Sequence, residues 1–311
     1  MVMGKTSSKL LQGLVRFMNK SLVKNLIVMA LCVAFLFVQI FYPYSYYSSA
    51  QRKPNSTFQV GIDYVYEQDN LSMIYGQVAQ IHDLGFKVLR IDFQCDPLFY
   101  SASINQMTDM LFNATSHYGL AVALAIPNDE TVANLNYYLD RWGGNLTYIQ
   151  IMNEPETSSS WEVGALFTDD EIISAFNNLY AAVESHDLSA QLYTNFGVGY
   201  VLRSNIPIEL SQKLNFVGLD IYMNSFLVLS PLFIENLQAI THKNVVITEF
   251  GMSTADSAAQ TDYIISGLNL FKSMGLKGCW IVYWNSEYDN YGIRGTPTET
   301  AVGDWIAENA K

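Results

Sequence analysis

Residues 245–284 read VVITEFGMSTADSAAQTDYIISGLNLFKSMGLKGCWIVYW, in which two apolar runs, 245–250 and 278–284, are separated by a longer amphipathic stretch. Apolar runs of this length are typical of strands that are buried on both faces of a parallel sheet. Ser273-Met274-Gly275 places a glycine shortly before the second run, where a helix commonly ends on a left-handed residue. The stretch therefore predicts a strand, a helix and a second strand.

The same unit recurs along the chain. Eight apolar runs alternate with amphipathic stretches, and the predicted strands are 59–64, 88–93, 121–126, 148–153, 191–196, 216–222, 245–250 and 278–284. Eight such units in ~250 residues match the size of an α/β (β/α)8 TIM barrel. A doubly wound open sheet is the alternative. It lacks support because Gly61-Ile62-Asp63-Tyr64, and not a glycine-rich phosphate turn, stands at the first strand.

The N-terminal region has a different composition. Residues 1–50 hold five basic residues and no acidic one, and residues 26–42, LIVMALCVAFLFVQIFY, are almost entirely apolar. This length is near the lower limit for a single transmembrane helix, which needs ~20 apolar residues. The basic flank is expected to stay cytoplasmic, so the rest of the chain would face outside.

We therefore predict a cytoplasmic basic segment 1–24, a transmembrane signal anchor 25–43, a tether 44–57 and a catalytic domain 58–311. The expected location is the cell membrane, with a single pass and the catalytic domain outside. A cleaved signal peptide, for which Ser48 and Ala50 supply small residues, is the alternative and would give a secreted protein.

Composition excludes several classes of protein. The chain carries 17 basic and 29 acidic residues, and half of its residues are apolar, so it is neither disordered nor suited to nucleic acid. Three cysteines and four histidines are too scattered for a disulfide framework or a histidine metal site, and we expect no metal and no other cofactor. Four N-glycosylation sequons, at Asn55, Asn70, Asn113 and Asn145, all follow the apolar run.

If the barrel forms, its functional site lies where the C-terminal ends of the strands converge. Glu154 follows the fourth predicted strand and Glu249 lies at the C-terminal end of the seventh, on opposite sides of the ring. Acetal hydrolysis requires such a pair, one carboxyl to protonate the leaving oxygen and one to meet the oxocarbenium-like carbon. The alternative is that each glutamate only pairs with Arg90 or caps a helix.

The pairing of Asn153-Glu154-Pro155 with Thr248-Glu249-Phe250-Gly251 resembles the clan A glycoside hydrolases, retaining β-glycosidases on a (β/α)8 barrel, with family 5 nearest in layout. The resemblance covers residues 59–309. It implies that Glu154 is the acid/base, that Glu249 is the nucleophile and that Asn153 bonds the sugar 2-hydroxyl.

Other strand ends add to this resemblance. Arg90 is similar to the strand-two arginine beside the nucleophile, Tyr222 to the tyrosine that bonds the nucleophile, and Trp284 to the aromatic platform under the sugar. The resemblance further implies that Arg90 and Tyr222 keep Glu249 charged while Glu154 carries a proton. Independently of the resemblance, Asp63 and Asn195 at strand ends are candidates for contact with sugar hydroxyls, and Trp161 could stack on a second sugar.

We therefore expect a membrane-tethered retaining glycoside hydrolase whose partner is a β-linked glycan or oligosaccharide. Two alternatives stay open. A transglycosidase would use the same two glutamates but pass the sugar to another sugar. A catalytically silent, carbohydrate-binding component of the cell envelope would use the barrel without turnover.

Overall fold

The computed structural model describes residues 58–65, 71–92, 102–128, 131–155, 168–198, 201, 206–222, 224–285 and 290–310. The chain divides into two units, 1–51 and 52–311, and all described residues belong to the second. The predicted segments 1–24, 25–43 and 44–57, and also Trp161, lie outside the described residues. No helix within the described ranges is long and apolar enough to cross a membrane.

Parallel strands form one sheet with the order β5-β4-β3-β2-β1-β9-β8-β7-β6. The strands are β1 (Gln59–Tyr64), β2 (Val88–Asp92), β3 (Ala121–Ala125), β4 (Tyr148–Gln150), β5 (Gln191–Tyr193), β6 (Asn195–Gly197), β7 (Val217–Tyr222), β8 (Val245–Gly251) and β9 (Gly278–Ile281). Only Thr194 separates β5 from β6, so these two segments are halves of one strand. The first half pairs with β4 and the second half pairs with β7. The sheet therefore closes on itself, which excludes the open-sheet alternative.

A helix follows each strand of the ring. The helices are α1 (Ile74–Asp83), α2 (Ala102–Tyr118), α3 (Val132–Trp142), α4 (Asp169–Glu184), α5 (Ile206–Ser211), α6 (Asn224–Thr241), α7 (Ser257–Ser273) and α8 (Pro297–Asn309). Eight strand–helix units around a closed parallel sheet are a (β/α)8 barrel, and the fold predicted for the region after residue 57 is confirmed.

The local signals that placed the helices are present in the structure. Thr168 and Glu171 form a capping box at the start of α4, as their spacing predicts. Gly85, Gly119 and Gly275 have φ angles of 92°, 68° and 74°, the left-handed conformation that ends a helix.

Two strands end three residues earlier than predicted. The fourth was expected over 148–153 but ends at Gln150, and the eighth was expected over 278–284 but ends at Ile281. Met152 has a φ of 65° and Tyr283 a φ of 57°, and a left-handed residue cannot continue a strand. Both breaks lie at the C-terminal end of the barrel, where they redirect the chain into the functional site.

The lower part of the barrel is filled by bulky side chains, with the rings of Tyr193 and Phe216 stacked at 4.8 Å and Trp280 edge-on to both. Gly61 of β1 makes room for this cluster, because a Cβ there would lie 2.5 Å from the indole of Trp280. Packed side chains thus fill the barrel interior below the C-terminal ends of the strands.

A helical glycine supports the strand that carries Glu249. A Cβ on Gly267 of α7 would lie 2.1 Å from Cζ of Phe250, which is fully buried in β8. We expect Gly267→Ala to lower the free energy of unfolding by about 1–3 kcal/mol, because the gain in helix propensity is smaller than the cost of displacing a packed ring.

Gly76→Ala is the matched control for this change. Gly76 lies exposed in α1, and a Cβ there would meet nothing within 4 Å. This variant should raise the free energy of unfolding by about 0.5–1 kcal/mol, as measured by urea denaturation. Equal effects of the two alanines would contradict the packing argument.

Candidate active site

The predicted polar residues meet at one end of the barrel. Asp63 lies on β1, Arg90 on β2, Asn195 on β6 and Glu249 on β8, and their exposed fractions are only 3%, 2%, 0% and 7%. Buried polar side chains are costly unless they are hydrogen-bonded. Their bonds to one another therefore define the site.

Arg90 is the centre of this network. Its Nη1 donates to Oδ2 of Asp63 at 2.8 Å, and its Nη2 donates to Oε1 of Glu249 at 2.6 Å. Nη2 also donates to Oδ1 of Asn153 at 2.9 Å, and Nε donates to Oε1 of Gln150 at 3.1 Å. One planar guanidinium thereby links side chains from β1, β4 and β8, a use of its fixed fork geometry that lysine cannot reproduce.

Glu249 reaches the site through an irregularity in β8. In the register with β7, Leu219 pairs with Ile247 and Asp220 pairs with Glu249, so Thr248 is an extra residue. A β-bulge of this kind re-aims the side chains next to it. The Oγ1 of Thr248 donates to Oδ1 of Asp220 at 2.7 Å. Thr248 and Glu249, although adjacent in sequence, thus both contact the polar network.

Both oxygens of the Glu249 carboxylate have a donor. Arg90 bonds Oε1, and the hydroxyl of Tyr222 donates to Oε2. These are the contacts that the resemblance implies for Arg90 and Tyr222. The carboxylate is held in one orientation at the end of β8.

The loop after β4 carries Glu154 in a strained conformation. Met152 and Glu154 have φ angles of 65° and 40°, and a left-handed non-glycine residue costs about 1–2 kcal/mol. The N–H of Glu154 donates to Oδ1 of Asn195 at 2.7 Å. Asn128 accepts from the N–H of Asn153 at 2.9 Å and donates to its carbonyl at 2.5 Å. Side chains from β6 and from the end of β3 therefore hold the loop in place.

Gln150 and Asn195 connect this loop to the rest of the network. Nε2 of Gln150 donates to Oδ1 of Asn195 at 2.8 Å and to Oδ1 of Asn153 at 2.6 Å. Nδ2 of Asn195 donates to Oδ1 of Asn153 at 3.0 Å and to Oδ2 of Asp220 at 2.5 Å. The orientation of each amide is set by its neighbours, which gives the loop a single arrangement.

The site contains more buried acids than cations. Burial raises the pKa of Asp63 well above its usual value, and although Arg90 opposes this shift, the negative charge of Glu249 adds to it. Burial also raises the pKa of Asp220, with the charges of Glu249 and Glu154 as the next contributions. One guanidinium thus has to balance several carboxylates.

The charges of Glu249 and Glu154 also affect Tyr222. The pKa of the Tyr222 hydroxyl is raised well above its usual value by burial, then by Glu249 and Asp220, and further by Glu154. Tyr222 therefore keeps its proton and can donate it in a hydrogen bond. The backbone of Glu154 and the carboxylate of Glu249 both contact the side chain of Asn195, at 2.7 Å and 3.4 Å.

Tyr283 and Trp284, which both follow β9, differ in exposure, since Tyr283 is half-buried and Trp284 is fully buried. Trp284 is fully buried and packs edge-on against Phe86 at 6.4 Å, and its Nε1 has no partner among the described residues. Burial raises the pKa of Tyr283, and the negative charges of Asp92, Asp63 and Glu249 add to this shift. The backbone of Tyr283 is left-handed, and its ring lies 6.2 Å from that of Tyr291. A platform role for Trp284 stays a prediction and would require the ring to be uncovered.

Several residues of the network were not among the predicted site residues. They are Asn128, Gln150, Asp220, Thr248 and Tyr283. Asn128 follows the third predicted strand and Tyr283 lies near the end of the eighth, whereas Gln150, Asp220 and Thr248 are polar residues inside predicted strands. Polar residues inside a buried strand were the sequence signal available for Gln150, Asp220 and Thr248.

Within the residues that the structure describes, no group of histidine, cysteine, aspartate or glutamate side chains could hold a metal ion. Cys279 is fully buried in β9, and burial raises the pKa of its thiol. A buried thiol of this kind is an inert packing residue.

No family model and no curated protein sequence matches the chain. Solved structures do share its fold. A β-glucosidase from Exiguobacterium marinum aligns with a TM-score of 0.60 and 11% identity, over 83% of this chain and all (100%) of its own. An endo-1,4-β-D-mannanase from Thermotoga petrophila aligns with a TM-score of 0.59 and 10% identity, over 81% and 99% of the two chains.

A β-galactosidase from the psychrophilic Marinomonas ef1 aligns with a TM-score of 0.62 and 9% identity, over 81% of this chain and 59% of its own. At such identities the similarity shows a common fold. The chain is thus similar in architecture to enzymes whose names specify β-linked sugar substrates.

Proposed function

We propose that the protein is a retaining glycoside hydrolase that cleaves β-linked glycans, with Glu249 as the nucleophile and Glu154 as the acid/base. The observation that carries this proposal is the setting of Glu249, whose two carboxylate oxygens are bonded by Arg90 and Tyr222. The charge of Glu154 also contributes to the raised pKa of the same tyrosine. The names of the structural neighbours support the substrate class.

In the first step, an oxygen of Glu249 attacks the anomeric carbon. The bond from that carbon to the glycosidic oxygen breaks, and Glu154 gives its proton to the leaving oxygen. Arg90 and Tyr222 hold the attacking carboxylate. Its orientation is therefore fixed before the reaction begins. The product is a glycosyl ester of Glu249, with the sugar configuration inverted once.

In the second step, Glu154 takes a proton from water, and the water oxygen attacks the anomeric carbon. The ester bond to Glu249 breaks, and the configuration is inverted again, which restores the original one. Both steps use the protein's own carboxyl groups for proton transfer and covalent bonding.

Asn153 is suited to bind the substrate. Its Oδ1 accepts from three side-chain donors, on Arg90, Gln150 and Asn195. Within the described part of the chain no side chain accepts from its Nδ2, which is therefore the atom proposed to donate to the sugar 2-hydroxyl. Asp63 and Asn195, in contrast, are almost fully buried and bonded within the network, so we propose that they support the site rather than contact sugar directly.

The two glutamates can be assigned by chemical rescue. Glu249→Ala should lower kcat on an aryl β-glycoside by about 10,000-fold or more, since it removes the nucleophile. Sodium azide, placed where the carboxylate was, should restore turnover and give the α-glycosyl azide. Glu154→Ala should be rescued on a dinitrophenyl glycoside with the β-glycosyl azide as product, because the covalent intermediate still forms.

The matched control is Glu308→Gln, which removes the charge of an exposed glutamate on α8. It should keep full activity. The wild-type protein should be tested on a panel of aryl β-glucosides, β-galactosides and β-mannosides. NMR should follow the anomeric configuration of the products. The proposal is wrong if the wild type cleaves none of them, or if both alanine variants give the same azide.

Tyr283 is the aromatic residue that we propose to stack on the sugar. Tyr283→Ala should lower kcat/KM about 10-fold, equivalent to about 1.4 kcal/mol, chiefly through KM, and Tyr283→Phe should keep the wild-type value. Trp284→Phe should instead lower the free energy of unfolding by about 1–3 kcal/mol with unchanged KM. A raised KM for Trp284→Phe together with a normal KM for Tyr283→Ala would assign the platform to Trp284.

The location stays a prediction from residues 25–43, and we propose that this segment anchors the enzyme with its catalytic domain outside. The described sequon residues Asn113 and Asn145 are exposed, as attached sugars would require. Intact cells that express the full chain should then cleave a membrane-impermeant aryl oligosaccharide as fast as lysed cells do. Activity that appears only after lysis would contradict an outward-facing domain.

A further inference from the structure

We propose that Asp220, a buried carboxyl group beneath the site, is a positioning residue for the acid/base Glu154 and acts through Asn195. This inference rests on the proposed function. Asp220 touches neither glutamate through a hydrogen bond, and its position in the middle of an apolar strand gives it no predicted role.

Asp220 is 1% exposed and has two donors, one on each side-chain oxygen. Oδ1 accepts from Oγ1 of Thr248 at 2.7 Å, and Oδ2 accepts from Nδ2 of Asn195 at 2.5 Å. A carboxyl group buried in a strand costs several kcal/mol unless it is bonded, so such a residue requires a physical reason. Stability alone is a poor reason, because an apolar residue in the middle of β7 would avoid that cost.

The surrounding sequence makes room for these bonds. Gly218 lies two residues before Asp220 on the same face of β7. A Cβ at Gly218 would lie 2.4 Å from Oγ1 of Thr248 and 2.8 Å from Cβ of Asn195. The absence of a side chain at Gly218 therefore lets the two donors approach Asp220 from β8 and β6.

The bond to Asp220 decides which way the Asn195 amide points. A carboxylate oxygen accepts hydrogen bonds, so the amide nitrogen must face Asp220 and the amide oxygen must face the other way. That oxygen accepts from the N–H of Glu154 at 2.7 Å and from Nε2 of Gln150 at 2.8 Å. With the amide reversed, an N–H group would face the N–H of Glu154.

This arrangement affects Glu154 more than Glu249. Glu154 has a left-handed φ of 40° and depends on the Asn195 oxygen for its backbone bond. The contact from Nδ2 of Asn195 to Oε1 of Glu249 is 3.4 Å, and Arg90 and Tyr222 already hold that carboxylate. Loss of Asp220 should therefore misplace the proton donor and leave the nucleophile in position.

The dependence of rate on the leaving group separates these two effects. A dinitrophenyl group leaves without protonation, whereas an alkyl or phenyl group needs the proton from Glu154. Asp220→Leu fills the space but removes both acceptors. It should lower kcat/KM on the phenyl β-glycoside by about 100-fold, the loss expected from a misplacement of about 1 Å, and that on the dinitrophenyl β-glycoside less than threefold.

Two variants are matched controls. Thr248→Val removes one hydrogen bond to Asp220 at equal size but keeps the bond to Asn195, so its leaving-group dependence should equal that of the wild type. Asp220→Asn keeps one oxygen that can accept from Asn195 and should also retain the wild-type dependence. Near-ultraviolet circular dichroism checks that each variant is folded, and Asp220→Ala replaces Asp220→Leu if the leucine variant does not fold.

Each outcome decides the proposal. A selective loss on the phenyl substrate in Asp220→Leu, with both controls normal, supports it. An equal loss on both substrates, or the same pattern in Thr248→Val, shows a structural role and overturns it while the glycosidase function stands. If the wild type cleaves neither substrate, the proposed function is wrong and the role of Asp220 falls with it.

Discussion

The site depends on one buried cation. Arg90 is 2% exposed and bonds carboxylates of β1 and β8 and amide oxygens of β4 and its loop. A buried guanidinium requires negative partners, and the surrounding acids require a positive one. Neither can be removed without leaving the other uncompensated, so the ion network couples strands that are far apart in sequence. The barrel provides this opportunity because its strand ends converge on one ring.

Around this cation, the regular fold is broken where function is proposed. Thr248 forms a bulge, Met152 and Glu154 are left-handed after β4, and Tyr283 is left-handed after β9. Such conformations cost energy and persist only where the surroundings over-determine them. In this protein the amide side chains of the network hold the Glu154 loop. The Asp220 carboxyl group holds the bulge in β8. The other left-handed non-glycine residues in the described ranges, Asp187, His242 and Asn290, lie in loops between strands and helices.

The residues of the site form two groups with different proposed roles. The glutamates stand at the end of the barrel, one in a bulged strand and one in a strained loop. The residues that hold them, such as Gln150 and Asp220, are fully or almost fully buried within strands. Positioning from rigid strands is more exact than positioning from loops, because strand side chains are locked by packing on both sides.

The amino-acid sequence by itself determined the repeated strand–helix unit, the helix ends at Gly85, Gly119 and Gly275, and the placement of Glu154 and Glu249 at strand ends. These features follow from hydrophobic periodicity and local backbone preference, which a single segment contains. Only the tertiary structure decided how residues 191–197 close the ring, that Thr248 bulges, and that Trp284 is fully buried while Tyr283 is left-handed. Each of these depends on a neighbouring strand or on a left-handed residue that the pattern of apolar residues does not encode. The role of Asp220 was not predicted for the same reason, because its hydrogen-bond partners lie on two other strands.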